Sequence, residues 1–193
     1  MIVRRFAVAV SVSSALALNA IAAVAPNAVP DVSDIVLTQE GGRALNLQSL
    51  MRGRRFTAVV FFSATCPCFA AHRARLAALV HELAPRDVGF VIVDSERRPR
   101  GAPSPGAVSD TDVPILRDDQ GKLARRLGAQ YATETFVFDA SGSLRYRGGI
   151  DDDRKRLSQT PRALLRDALL GLLARNAPPF TTAKTLGCVL RLR

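Results

Sequence analysis

Two runs along the chain are apolar without interruption, and both are rich in β-branched and aromatic residues: FTAVVFF at 56–62 and VGFVIV at 88–93. Runs of this length and composition suit strands buried on both faces of a sheet. Between them, residues 67–84 change period. Phe69, Leu76, Leu79, Val80 and Leu83 recur at spacings of three, four and seven, which predicts a helix, and Pro85 supplies its stop signal. A strand, a long crossover helix and a second strand imply parallel pairing.

The rest of the chain is read the same way. Residues 29–39 predict a leading strand ended by Gly41-Gly42, and 44–50 a small strand and turn. Residues 96–111, rich in Pro, Gly, Ser and Arg, predict a loop. A short apolar segment at 113–116 precedes a short helix at 120–127 closed by Gly128. Residues 134–139 and 143–146 flank Ala140-Ser141-Gly142, the composition of a hairpin turn. Residues 161–174 predict a helix capped by Thr160, with Pro161 in its first turn and Leu165, Leu169, Leu172 and Leu173 as its buried stripe. Pro178-Pro179 ends it, and 181–193 form a tail. The expected fold class is α/β, a mixed β-sheet flanked by helices on both faces.

The N-terminus reads as an address. Arg4-Arg5 precede an apolar run from Phe6 to Leu18, and Ala20-Ile21-Ala22 and Ala23-Val24-Ala25 are small-x-small cleavage patterns. Residues 1–25 are therefore expected to be a secretory signal peptide, with an uncleaved membrane anchor as the alternative. This organisation places one domain at 29–176 and a tail at 177–193. Export implies a periplasmic or secreted protein, and no stable membrane insertion once the signal is removed. The 193 residues carry a net charge of +10, but the arginines are scattered and no nucleic-acid motif is present, so no nucleic-acid partner is expected.

The chemistry centres on three cysteines, Cys66, Cys68 and Cys188. An odd number in an exported chain points to a disulfide plus a further thiol, or to a working exchange set. Cys66 falls where the first buried strand gives way to the helix, with Pro67 at the first helical position. Helix N-termini favour anions, and a thiolate there is activated as a nucleophile. A Cys66–Cys68 disulfide would close a small strained ring, and such bonds are labile. Cys188, far along the chain, is a second candidate to resolve a mixed disulfide on Cys66. His72 lies four residues after Cys68 and shares its helix face. Cys66, Cys68 and His72 thus form an alternative ligand set for copper or zinc. Asp151-Asp152-Asp153, after the hairpin, reads as a solvated loop, with a metal site or substrate contact as the alternative.

FFSATCPC resembles the strand of the redoxin superfamily that runs into a cysteine-bearing helix. TFVFDASGSLRYRG resembles that superfamily's late hairpin. The C-terminal sequence, with Gly187-Cys188, resembles an exported subgroup ending in a Gly-Cys motif. The resemblance implies a thioredoxin-like fold and a thiol–disulfide oxidoreductase. Cys66 would be its nucleophile, Cys68 the first resolving thiol and Cys188 the second. Protein disulfides or thiols would be its substrates, together with an electron donor, and no cofactor would be needed. A thiol peroxidase of the same superfamily is the second reading and a copper or zinc carrier the third. Ser63 fills the hydroxyl position of the peroxidase motif, while Val59 replaces its proline. The cis-proline of thioredoxins and the arginine of peroxidases would fall near Thr133, which is expected to shape the pocket.

Overall fold

The computed structural model describes residues 30–97, 111–153, 161–176 and 181–192, with the backbone alone at positions 68 and 70. The chain runs through β1 (Val36–Thr38), β2 (Ala44–Asn46), α1 (Leu47–Met51), β3 (Phe56–Phe62), α2 (Pro67–Leu83), β4 (Val88–Asp94), β5 (Ile115–Arg117), α3 (Lys122–Leu127), β6 (Thr135–Asp139), β7 (Leu144–Gly148), α4 (Leu164–Leu173) and β8 (Thr181–Thr182). The strands form one mixed sheet in the order β2-β1-β5-β4-β3-β6-β7-β8. All seven residues of β3 are buried, as their uninterrupted apolar run requires of the strand at the centre. β3 pairs in parallel with β4 from Phe56↔Val88 to Phe62↔Asp94, and antiparallel with β6 on its other side. The α2 crossover therefore joins parallel neighbours, as its length predicts.

Helix α2 ends where expected: Leu83 is followed by a 3-10 turn over Ala84–Arg86 that contains Pro85. Gly128 closes α3 in the left-handed conformation. The β6–β7 hairpin turns through Gly142 (φ 84°), and Asp139 Oδ1 accepts hydrogen bonds from the Ser141 and Ser143 N–H groups. Leu165, Leu169, Leu172 and Leu173 of α4 are all buried. Each such side chain contributes about 1.5–3 kcal/mol.

Three boundaries differ from expectation. The leading strand shrinks to β1 because Asp31 and Val32 organise a turn, with Ser33 N–H on Asp31 Oδ1 (2.9 Å) and Ile35 N–H on Val32 O (3.2 Å). After β2 the chain forms helix α1 rather than a turn, because the Asn46 side chain accepts the Ser49 N–H at 3.0 Å and caps it. Helix α4 starts at Leu164, with Ala163 at its N-cap and no side-chain cap, so Pro161 stands outside its first turn. Thr160, most of the expected 96–111 loop and the expected signal peptide lie outside the described residues. No helix among the described residues is long and apolar enough to cross a membrane.

The tail folds back onto the domain. β8 pairs in parallel with β7, and Ala183 N–H donates to Arg147 O at 2.9 Å. The approach is close enough to require glycine at 148, where a Cβ would stand 2.8 Å from Ala183 Cβ and 2.6 Å from the Tyr146 hydroxyl. Further on, Val189 bridges to Tyr131, and Leu190 is buried.

Candidate active site

The site is built where β3 leaves the sheet. Ser63 follows the last strand residue, and its carbonyl accepts the Cys66 N–H at 3.3 Å. Cys66 has extended backbone (φ −85°, ψ 110°) and is the N-cap of α2, with Pro67 the first helical residue. Its carbonyl accepts the Phe69 N–H at 3.1 Å. The Phe62 and Phe69 rings meet edge to face with centroids 4.6 Å apart, bracing the strand end against the helix start. Cys66 thus sits at the positive end of a 17-residue helix, and its own side chain makes no cap hydrogen bond. The N-terminal end of a helix carries partial positive charge.

Ala64, Thr65 and Pro67 are exposed, yet Cys66 is only 3% exposed. Cys188 stands over it. The Cys66 Sγ and Cys188 Sγ atoms lie 2.6 Å apart and are not joined to each other in a disulfide. The separation is roughly half an ångström longer than a disulfide bond.

Cys188 is held there by its backbone. Its carbonyl accepts the Ala132 N–H at 2.8 Å, and Leu190 N–H donates to Gln130 O at 2.8 Å. Gly187 passes so close to Ala132 that a Cβ would run into the Ala132 carbonyl oxygen. The receiving segment is itself ordered by Glu134, whose Oε2 accepts the Gln130 and Tyr131 N–H groups at 2.7 and 3.2 Å. Its Oε1 takes Arg147 Nε at 2.9 Å, and the Arg147 guanidinium also lies over the Phe136 ring, 5.1 Å from its centroid.

Thr133 belongs to the same receiving segment. Its φ of 74° is left-handed, unusual for a β-branched residue. Its N–H donates to Phe61 O at 2.8 Å and its hydroxyl to Leu186 O at 3.3 Å. Thr133 therefore braces the tail against β3, and the described residues include no cis peptide bond. Ser63 is buried, and its hydroxyl donates to Glu96 Oε2 at 2.7 Å. Thr65 Oγ1 is its other neighbour, at 3.3 Å.

His72 lies one turn beyond Cys68 on α2 and is 1% exposed. Its Nδ1 is 2.9 Å from Asp151 Oδ2. A carboxylate only accepts, so Nδ1 carries the proton. Arg75 Nη1 reaches the same Asp151 oxygen at 2.9 Å, and its Nη2 reaches Asp153 Oδ2 at 2.8 Å. Asp151 and Asp153 are each 3% exposed, which corrects the expectation of a solvated loop. The charge of Arg75 and the ring of His72 offset the cost of that burial. Burial by itself raises the Asp151 carboxyl, but hydrogen bonds from His72, the Asp153 N–H and Arg75 outweigh it and hold the group below its ordinary value of 3.8. Among the described residues no three His, Cys, Asp or Glu side chains form a group that could hold a metal ion.

Of the residues singled out from sequence, Cys66 and Cys188 meet directly. Ser63 and Thr133 lie in the segments that carry and cover them. The Cys68 side chain lies outside the described residues. Glu96 and Gly187 were not singled out by role, because their partners are distant in sequence. The only signal for Gly187 was its place beside Cys188.

No curated protein sequence matches the chain. Among solved structures, a hypothetical protein from Sinorhizobium meliloti 1021 superimposes with a TM-score of 0.71 at 23% identity, over 84% of this chain and 92% of that one. The thioredoxin domain of a thiol-disulfide oxidoreductase from Bacteroides vulgatus gives 0.54 at 12% identity, over 76% and 98%. Peroxiredoxin Q from Xanthomonas campestris gives 0.53 at 16% identity, over 76% and 94%. These likenesses establish the thioredoxin-like fold. Residues 25–164 match the Redoxin family, and with the match covering most of the chain, this protein belongs to that family.

Proposed function

We propose that the protein is an exported thiol–disulfide oxidoreductase in which Cys66 is the nucleophile and Cys188 the resolving thiol. The observation that carries this reading is the 2.6 Å separation of their sulfur atoms at the N-terminus of α2. The Cys66 thiolate attacks one sulfur of a substrate disulfide, forms a mixed disulfide and expels the other half as a thiolate. The Cys188 thiolate then attacks Cys66 Sγ, releases the second half and closes a Cys66–Cys188 disulfide. Two electrons pass to the substrate, and an external dithiol returns them. The reaction runs in either direction according to the partners' potentials. The N-terminal pattern supports export, where disulfides persist. Cys68, the first resolving thiol expected from sequence, remains the alternative, its side chain lying outside the described residues.

Peroxide reduction is less well supported. The Ser63 hydroxyl is committed to Glu96, and Thr133 stands where an arginine would stabilise charge on a peroxide oxygen. The test is turnover of a peptide disulfide with a dithiol reductant, compared with turnover of a hydroperoxide. Cys66→Ser should abolish disulfide turnover. Cys188→Ser should accumulate the mixed disulfide on Cys66, and Cys68→Ser should retain turnover. Full activity of Cys66→Ser overturns the reading. Trapping by Cys68→Ser instead of Cys188→Ser moves the resolving role to Cys68.

A further inference from the structure

Two cysteines 122 residues apart meet only if the tail is fixed on both sides of Cys188. Its N-terminal side is fixed by the Gly187–Ala132 contact and the hydrogen bond from Thr133 to Leu186. Beyond Leu190 the tail leaves the Gln130–Ala132 segment and needs a second anchor. Glu96, just after β4, supplies it. Its Oε1 accepts the Arg191 N–H at 3.3 Å, while Arg97 N–H donates to Arg191 O at 2.8 Å. Its Oε2 accepts the hydroxyl of Ser63 at 2.7 Å, and Ser63 O in turn receives the Cys66 N–H.

One carboxylate therefore links the segment that carries Cys66 to the segment that carries Cys188. Glu96 is 8% exposed. Its backbone is pinned by its own N–H on Asp94 Oδ1 at 3.0 Å and by Arg117 Nη2 on its carbonyl at 3.2 Å. Both donors to this buried side chain belong to the two halves of the thiol pair.

We propose that Glu96 is a positioning residue, setting the effective concentration of Cys188 at Cys66. The inference rests on the reading of Cys66 and Cys188 as the exchanging pair. Glu96 acts through the tail, shortening the distance that Cys188 must search.

The experiment equilibrates the full chain with mixtures of reduced and oxidised glutathione and measures the Cys66–Cys188 disulfide. Glu96→Ala should lower its equilibrium constant about tenfold, the loss expected from breaking the hydrogen bonds that tie the two segments. Glu96→Gln, which keeps one acceptor, should recover part of that loss. Arg191→Pro removes the tail N–H, along with the Arg side chain and some freedom of the backbone there, and should reproduce the fall while leaving Glu96 and Ser63 intact. In a Cys188→Ser background, adding Glu96→Ala should leave the pH profile of Cys66 alkylation unchanged. Unchanged disulfide equilibria in both Glu96→Ala and Arg191→Pro would overturn the role of Glu96. So would a displaced alkylation profile, which would make it act on Cys66 directly. Failure of the wild-type protein to form the Cys66–Cys188 disulfide at all would instead remove the functional reading on which the inference rests.

Discussion

The imidazole of His72, buried on α2, donates from Nδ1 to the carboxylate of Asp151, which follows β7, across 2.9 Å. Arg75 binds the same carboxylate from the next turn of the helix. The pair ties the helix that starts at Cys66 to the far end of the hairpin, so it fixes the helix that presents the thiol.

Removing the Asp151 carboxylate leaves the His72 N–H buried without its acceptor and takes a partner from Arg75. Arg75 is 31% exposed and can turn to water, so the cost falls below that of a wholly buried pair. Asp151→Ala should lose about 2–3 kcal/mol near pH 7, read as a lower urea midpoint at unchanged slope. The pH dependence has a definite sign. The carboxyl is held below its ordinary value in the folded protein, so the unfolded chain binds the proton first as pH falls. The contribution is complete above about pH 4 and is lost as pH drops through the lower folded value. The gap between wild type and Asp151→Ala should therefore narrow in acid. A gap that stays constant from pH 7 to pH 3 would contradict this account.

The redoxin resemblance sets a thioredoxin proline near Thr133, but the Thr133 backbone cannot accept one. A φ of 74° is out of reach of the pyrrolidine ring, and the Thr133 N–H is used by Phe61 O. Thr133→Pro should destabilise the protein by about 3 kcal/mol or more, whereas Thr133→Gly should stay within about 1 kcal/mol of wild type, trading relief of left-handed strain against the hydroxyl bond to Leu186. Thermal or urea denaturation of the two variants decides it. A proline variant as stable as wild type would show that the segment adopts another backbone.

Gly187 has no room for a side chain beneath the Ala132 carbonyl. Gly187→Ala should lift the tail locally and uncover Cys66, speeding its reaction with a bulky maleimide about tenfold, while the denaturation midpoint of the domain moves little. Equal maleimide rates in the two proteins would mean that the tail does not limit access to Cys66.

The sequence alone determined the framework. The continuous apolar runs at 56–62 and 88–93, the heptad-like stripe of α2 with Pro85 after it, Gly128 after α3 and the Asp139–Ser143 turn all act through neighbours within a few residues. Their structural outcome follows from local periodicity and backbone preference. By the same logic Cys66 could be placed at a helix N-terminus from Pro67 and the strand before it. Only the tertiary structure decided that Cys188 lies against Cys66, that Asp151 and Asp153 are buried, and that Glu96 joins Ser63 to the tail. Each of these depends on segments far apart in the chain, brought together by the packing of the sheet, by main-chain hydrogen bonds available to any residue, and by the absence of a Cβ at Gly148 and Gly187. A hydrogen bond from Ala132 N–H to Cys188 O leaves no mark in residue type, so its partner becomes known only when the tail is seen lying across the sheet.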